Sequence, residues 1–391
     1  MQPGTATPIA PRRSSSRRPR GRREVAGLGR VRRVALVAAL LALIPAAFSY
    51  LTTMNQASNS SVGIRTVEWL RDHGAAGLVA QVESIYYSLT APSKGGPTLR
   101  ALPRVGYGAA GASAAGTVVS EYRPARVHAV LHPALPGEGV WRATRPALES
   151  APPVLVTTYR DQPEYPRVVA GLAWINTKRA SVTLNPGRLE PSVTLPRGTM
   201  DVPQGQRGKL IATFNSGFKL SDSRGGFVLN GRTYSSMQDG QGTLVGYTNG
   251  QVDVLNWQNG SPAPANVSFA RQNLPLIVNE GRPNPNLENG EWGATVGNAV
   301  LVWRSGVGID SQGNLIYAAG EDQSAESLAR ALIHAGAVRA MELDINSYWV
   351  SFITYGAPGA EAPKNLLPAM DRPATRYLEP DDRDFFAVYS R

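Results

Sequence analysis

VLVWRSGVGIDSQGNLIYAAG, Val300–Gly320, holds two apolar runs on either side of Asp310–Gly313. Asp, Ser and Gly at the centre are turn residues, so the stretch reads as a β-hairpin. SAESLARALIHAG follows, from Ser324 to Gly336. It reads as a helix, with Ser324 as N-cap, Leu328 and Leu332 on one face and Gly336 at the C-terminus. The chain then enters AMELDINSYWV, Ala340–Val350, which reads as a further strand. Residues two apart on a strand share a face, so Glu342 and Asp344 are expected together, roughly 7 Å apart along it.

Upstream, PVLVTTY (Pro153–Tyr159) and RVVAGLAWI (Arg167–Ile175) also read as strands. Asn230-Gly231 and Asn249-Gly250 each sit between strand-like runs and predict tight type I′ turns. Many hairpins with one well-marked helix predict an α+β fold, a largely antiparallel or mixed sheet with packed helices.

The chain has 391 residues, 42% of them hydrophobic, and no cysteine. Disulfide scaffolds and cysteine-based metal or redox sites are excluded. Lysine occurs five times against 35 arginines; with abundant Ala, Gly and Pro this composition points to a GC-rich, bacterial coding sequence. The net charge of +11 lies mostly at one end, because residues 1–33 hold ten arginines and one glutamate, a net +9. The rest carries +2, which argues against nucleic acid as a partner.

After the basic tail comes VALVAALLALIPAAFSYL, Val34–Leu51, 18 uncharged residues. At 1.5 Å per residue it spans roughly 27 Å, enough for a hydrocarbon core. The arginines place the N-terminus in the cytoplasm and the remainder outside the plasma membrane, a single-pass topology. A cleaved signal peptide is the alternative, with Ala47-Phe48-Ser49 as an imperfect cleavage site. Residues 61–90 read as a juxtamembrane helix that Gly74 and Gly77 divide. Residues 91–117 read as a Gly/Pro/Ala-rich linker, and 118–391 as the main domain.

There is no G-x-S-x-G elbow, Walker loop, G-x-G-x-x-G after a strand or H-E-x-x-H. His128 and His132 lie in RVHAVLH, which reads as a strand and keeps them apart, so no metal site is expected. The remaining chemistry rests on Asp, Glu, Asn and Arg. Glu342 and Asp344 are one candidate pair. Arg304 sits inside an apolar run and needs a partner, either one of these acids or an anionic substrate. ATFNSGFKL, Ala212–Leu220, runs a strand into Asn215-Ser216-Gly217, where glycine lets a backbone approach a ligand.

Four segments, in order, resemble the phosphodiester glycosidase family: ATFNSGFKL, LPLIVNEGRP (Leu274–Pro283), WRSGVGIDSQGNLI (Trp303–Ile316) and GAVRAMELDINSYWV (Gly336–Val350). The resemblance implies hydrolysis of the anomeric C–O bond of a sugar-1-phosphodiester; no cofactor is demanded and no metal ligand is named, with a divalent ion at Asp344 left open. It aligns Asp344, Arg304 and Asn215 with the family's aspartate, arginine and asparagine. Asp344 would activate water or attack the anomeric carbon, with Glu342 beside it. Arg304 would stabilise the phosphate leaving group. Asn215, Gly217, Lys219, Asn346 and Trp349 would bind a phosphate-linked glycan, and Tyr348 or Trp349 offers a ring for stacking on a sugar. One departure stands out. The family's glycine-rich turn after the aspartate is replaced by Ile345-Asn346-Ser347-Tyr348-Trp349. A silent glycan-binding module on the same fold is therefore the rival reading.

Overall fold

The computed structural model describes residues 21–107, 122–145, 152–293 and 301–391. The basic stretch up to Arg20, linker residues 108–117 and the expected domain start at Val118 lie outside the described residues. The chain divides into two compact units, Met1–Gln56 and Ala57–Arg391.

The first unit carries helix α1, Gly21–Asn55, with Pro45 inside it. Its portion Arg30–Asn55, 26 residues, is long and apolar enough to cross a membrane, a test that a signal sequence near an N-terminus also passes.

The second unit begins with a helix pair, α2 (Val62–Leu70) and α3 (Ala76–Thr90). Ser61 caps α2 by accepting the Ile64 N–H at 3.4 Å. The two helices are parted at His73 and Gly74, where Gly74 takes φ 89°, a left-handed conformation that glycine adopts without strain. This pair belongs to the same unit as the sheets that follow.

Among the described residues the rest of the unit holds three sheets, of eight, five and five strands, whose pairings are antiparallel. At the centre of the largest, Val302–Asp310 lies between Leu315–Gln323 and Ala337–Glu342. The hairpin turn falls at Ser311–Asn314, and the Asp310 carboxylate holds it by accepting the Gln312 and Asn314 N–H groups at 2.9 and 2.8 Å. Helix Ala325–His334 packs Leu328 and Leu332 against Ile316, Ala318 and Ala340 of this sheet. Its N-terminus is a reciprocal box in which Ser324 and Ser327 each accept the other's N–H. A second sheet contains Leu210–Asn215, flanked by Phe352–Ala357 and Phe385–Ser390. Phe214, Tyr317, Phe352 and Phe386 fill the core between the two sheets, with Phe214 and Phe386 stacked at 5.0 Å.

Three expectations are corrected. At Asn230-Gly231 both residues take positive φ, 51° and 73°, as a type I′ turn requires, but at Asn249-Gly250 only Gly250 does. That connection is longer, closed by Gly250 N–H to Tyr247 O and Tyr247 N–H to Gln251 O. RVHAVLH forms no strand: Val127 N–H bonds Gly139 O, and Arg126 donates to Glu138 O, without a continuing ladder. The strand through Ala340–Val350 stops at Glu342. Leu343 N–H still bonds Ser305 O, but Asp344 N–H turns to Ser216 O of the other sheet's extension. That change of partner separates the two acids.

Candidate functional site

Asp344 sits where the end of the eight-stranded sheet meets the segment after Leu210–Asn215. Its backbone is clamped on both sides, the N–H by Ser216 O at 3.0 Å and the C=O by the Ser305 hydroxyl at 2.7 Å. Its Oδ1 accepts the Asn346 N–H at 3.0 Å, and its Oδ2 accepts from Arg383 Nη2 at 2.6 Å. Arg383 also donates to Gly217 O at 3.3 Å. Burial pushes the Asp344 carboxyl above its ordinary value, and Arg383 pulls against that shift.

Asp344, Arg383, Asn346 and Lys219 line a cavity of about 720 Å³. This volume falls in the range of small-molecule sites. The opposite wall is the helix pair, which contributes Glu68, Arg71, Asp72, Ala80, Glu83 and Tyr87. Lys219 reaches across to Glu68 at 2.6 Å and Asp72 at 2.9 Å. Arg71 joins Glu68 to Glu83, at 2.9 and 2.5 Å. Burial works to raise Glu68, but Lys219, Arg383 and Arg71 together hold it below the usual carboxylate range. The cavity is thus a cation–carboxylate lattice in which Asp344 is pushed up and Glu68 is held down.

Glu342, Arg304, Asn215 and Gly217 lie outside the cavity lining, and Trp349 lies within it. Glu342 is fully buried and pairs with Arg304 at 2.5 Å, away from the cavity lining. Burial pushes Glu342 up to about 7 against the pull of Arg304, and among the described residues no donor reaches its Oε2. Arg304 also donates to Trp292 O at 2.6 Å and Gln323 O at 3.2 Å. Of the two partners expected for this arginine, the acid is the one the structure provides. Arg304 is not presented to the cavity, whereas Arg383 is.

Asn215 is a buried junction. Its amide donates to Ser216 O at 2.9 Å and Ser305 Oγ at 3.0 Å, and its carbonyl accepts from Tyr317 OH at 2.9 Å and Ser351 N–H at 3.0 Å. These bonds use its donor and acceptor groups, so it ties strands together instead of reaching a ligand. Gly217 allows close approach, but to a side chain: a Cβ there would meet Asn273 at 3.0 Å. Trp349 touches the cavity yet is 3% exposed, with Arg376 and Arg383 each 5.2 Å from its ring centre. Those guanidinium groups lie within cation–π distance of its ring. Asn346 accepts the Tyr348 N–H at 3.0 Å, which shapes the turn that replaces the glycine-rich one.

Arg383, Glu68, Arg71 and Asp72 also line the cavity and are not among the candidates the sequence offers. Arg383 stands in the sequence Asp381-Asp382-Arg383-Asp384, a charge cluster next to an apolar strand, which is a legible signal. Glu68 and Asp72 share a helix face by their i, i+4 spacing. Their partner Lys219, 147 residues beyond Asp72, could not be paired with them from sequence.

Residues 206–344 match the family model described as phosphodiester glycosidase, so the resemblance drawn from the four segments holds for that stretch of chain. No curated protein matches the chain. Among solved structures it is similar to the catalytic domain of zebrafish N-acetylglucosamine-1-phosphodiester α-N-acetylglucosaminidase, auto-inhibited by its pro-peptide: 14% identity, 64% of this chain and 87% of that one, TM-score 0.44. It is also similar to a hypothetical protein from Synechocystis, at 15% identity, 62% and 64% coverage and TM-score 0.34. A third is a putative exported protein from Burkholderia pseudomallei, at 11% identity, 57% and 74% coverage and TM-score 0.25.

Proposed function

We propose that the unit Ala57–Arg391 hydrolyses the anomeric C–O bond of a sugar-1-phosphodiester, with Asp344 as the reactive carboxylate. The observation that carries this reading is the placement of Asp344. It ends the family-matched segment, it is backbone-clamped at the wall of a sugar-sized cavity, and it touches a cation there. Arg383 and Lys219 take the charge-stabilising role first expected of Arg304, since both line the cavity. A phosphodiester is a good leaving group, so the reaction needs charge stabilisation more than a strong acid.

We further place the protein in a bacterial plasma membrane by helix α1, with its N-terminus cytoplasmic and the larger unit facing envelope glycans. The apolar helix and the ten arginines before and within it support this reading.

A second reading has its own support. Lys219 is held by Glu68 and Asp72, and Arg383 by Asp344, so both cations of the cavity are already neutralised. A silent glycan-binding module would tolerate this. The deciding assay measures sugar released from a panel of sugar-1-phosphodiesters by the full chain and by Asp344→Asn. Turnover lost in the variant supports the hydrolase. Absence of turnover on every substrate, with glycan binding equal in both proteins, sinks the hydrolase in favour of the module.

A further inference from the structure

Helix α3 has two unlike sides. At 3.6 residues per turn, Ala76, Ala80, Glu83 and Tyr87 fall on one side, and these face the cavity. Leu78, Val82, Ile85 and Leu89 recur at i, i+4, i+7 and i+11 on the opposite side. There they are 65%, 59%, 58% and 82% exposed, with Tyr86 beside them at 62%. The only charged residue of α3 is Glu83, which turns to Arg71 on the cavity side. The outward face is thus a continuous apolar stripe with no charge, the opposite of a helix surface meant for water.

Two occupants fit such a stripe, a lipid surface or a second copy. A stripe on 15 residues is about 22 Å long and about 10 Å wide. That is well short of the roughly 800 Å² per partner that a stable protein interface buries. Residues 56–61, the only ones between α1 and α2, reach at most about 20 Å when fully extended. A chain anchored through α1 therefore keeps the helix pair close to the membrane by covalent connection alone.

We propose that the outer face of α3 lies on the lipid surface, as interfacial amphipathic helices do. The inference rests on the reading of α1 as a membrane anchor. It adds that the cavity wall is itself the membrane-contacting element, so the cavity stands about one helix diameter, ~10 Å, from the lipid.

The chain has no cysteine, so single labels are clean. Leu78→Cys, Val82→Cys, Ile85→Cys and Leu89→Cys are each made in the full chain, labelled with an environment-sensitive fluorophore and reconstituted in phosphatidylcholine–phosphatidylglycerol vesicles. Ser311→Cys, on an exposed turn, is the water control, and Leu41→Cys in α1 reports the anchor. The expected result is blue-shifted emission at the four α3 sites, quenched several-fold more by spin-labelled lipid than by iodide, with the reverse at Ser311. Iodide quenching at α3 equal to that at Ser311, while Leu41 is in lipid, overturns the inference and leaves the anchor standing. Leu41 and α3 both in water overturn the anchor reading and this inference together. Protection of α3 from both quenchers, with self-quenching between copies, assigns the stripe to a dimer and also overturns it.

Discussion

Asp344 Oδ2 and Arg383 Nη2 lie 2.6 Å apart, 39 residues distant in the chain and both largely buried. One comes from the turn after the strand Ala337–Glu342, the other from the residues just before the strand Phe385–Ser390. The pair joins two sheets at the cavity wall. Removing either member leaves the other charged and poorly solvated, which couples stability to the chemistry proposed for the site.

Asp344→Asn keeps the shape of the side chain and removes its charge and basicity. Turnover of a cleavable sugar-1-phosphodiester should fall by about 100- to 10,000-fold, the usual contribution of a carboxylate acting as base or nucleophile. Steady-state kinetics with circular dichroism as a folding control check this. An active Asp344→Asn enzyme would move the reactive role elsewhere.

Arg383→Met should destabilise the protein by roughly 3–5 kcal/mol, because it leaves a buried carboxylate without its cation. It should also move the acid limb of kcat/KM to higher pH. Burial already raises Asp344, and Arg383 is the main force against that shift, so an Asp344 that acts ionised loses its counterweight. Denaturant titration and a pH–rate profile of both proteins read the two effects separately.

Lys219→Ala should loosen the helix pair from the cavity, at a cost of roughly 1–3 kcal/mol for lost charge-assisted hydrogen bonds. Hydrogen exchange should quicken in α2 and α3 before it quickens in the sheets. The wild type should show the same loosening in acid. Glu68 is held below its ordinary value, so its stabilising contribution is present above the normal carboxylate pKa and is lost as pH falls through the lowered one. Exchange in α2 that ignores both the mutation and the pH would refute this.

Asn215→Ala should lower stability by about 1–3 kcal/mol, since it strands the Ser351 N–H in the core and takes one hydrogen bond each from the Tyr317 and Ser305 hydroxyls, which keep Ser351 O and Asp344 O as partners. Substrate affinity of the folded fraction should change little. A variant with wild-type melting but greatly raised KM would restore a ligand-binding role to this residue.

Asp161 offers a separate pH test. Burial pushes its carboxyl from 3.8 up to about 7, so the folded state holds a proton that the unfolded state has released between those values. Stability from this group is full below about 3.8 and is lost as pH rises through about 7. Asp161→Asn should therefore flatten that decline and melt higher than the wild type at pH 8. Parallel melting curves from pH 4 to pH 8 would refute it.

Much of the scaffold is legible in sequence because it follows from local rules. The hairpin around Asp310, the helix from Ser324 and the turn at Asn230-Gly231 each follow from residues within a few positions of one another. So does the break at Gly74. The four short segments carry the family resemblance, because their glycines and hydrophobic spacing belong to the backbone path. The site was legible only as a neighbourhood. Sequence singles out Asp344 and sets Glu342 beside it, but leaves the partner of Arg304 open between either acid and an anionic substrate, and does not reach Arg383.

The sequence by itself determined the class of fold, the apolar helix near the N-terminus and Asp344 as a candidate site residue. Tertiary structure alone decided which charges meet. Glu342 turns inward to Arg304, while Asp344 leaves the sheet one hydrogen bond later and finds Arg383. Likewise Lys219 finds Glu68 and Asp72, which lie in a helix about 150 residues earlier. The physical reason is range. Backbone conformation and hydrophobic period are set by neighbours in the chain, whereas an ion pair is set by where two sheets and a helix pair come together in space.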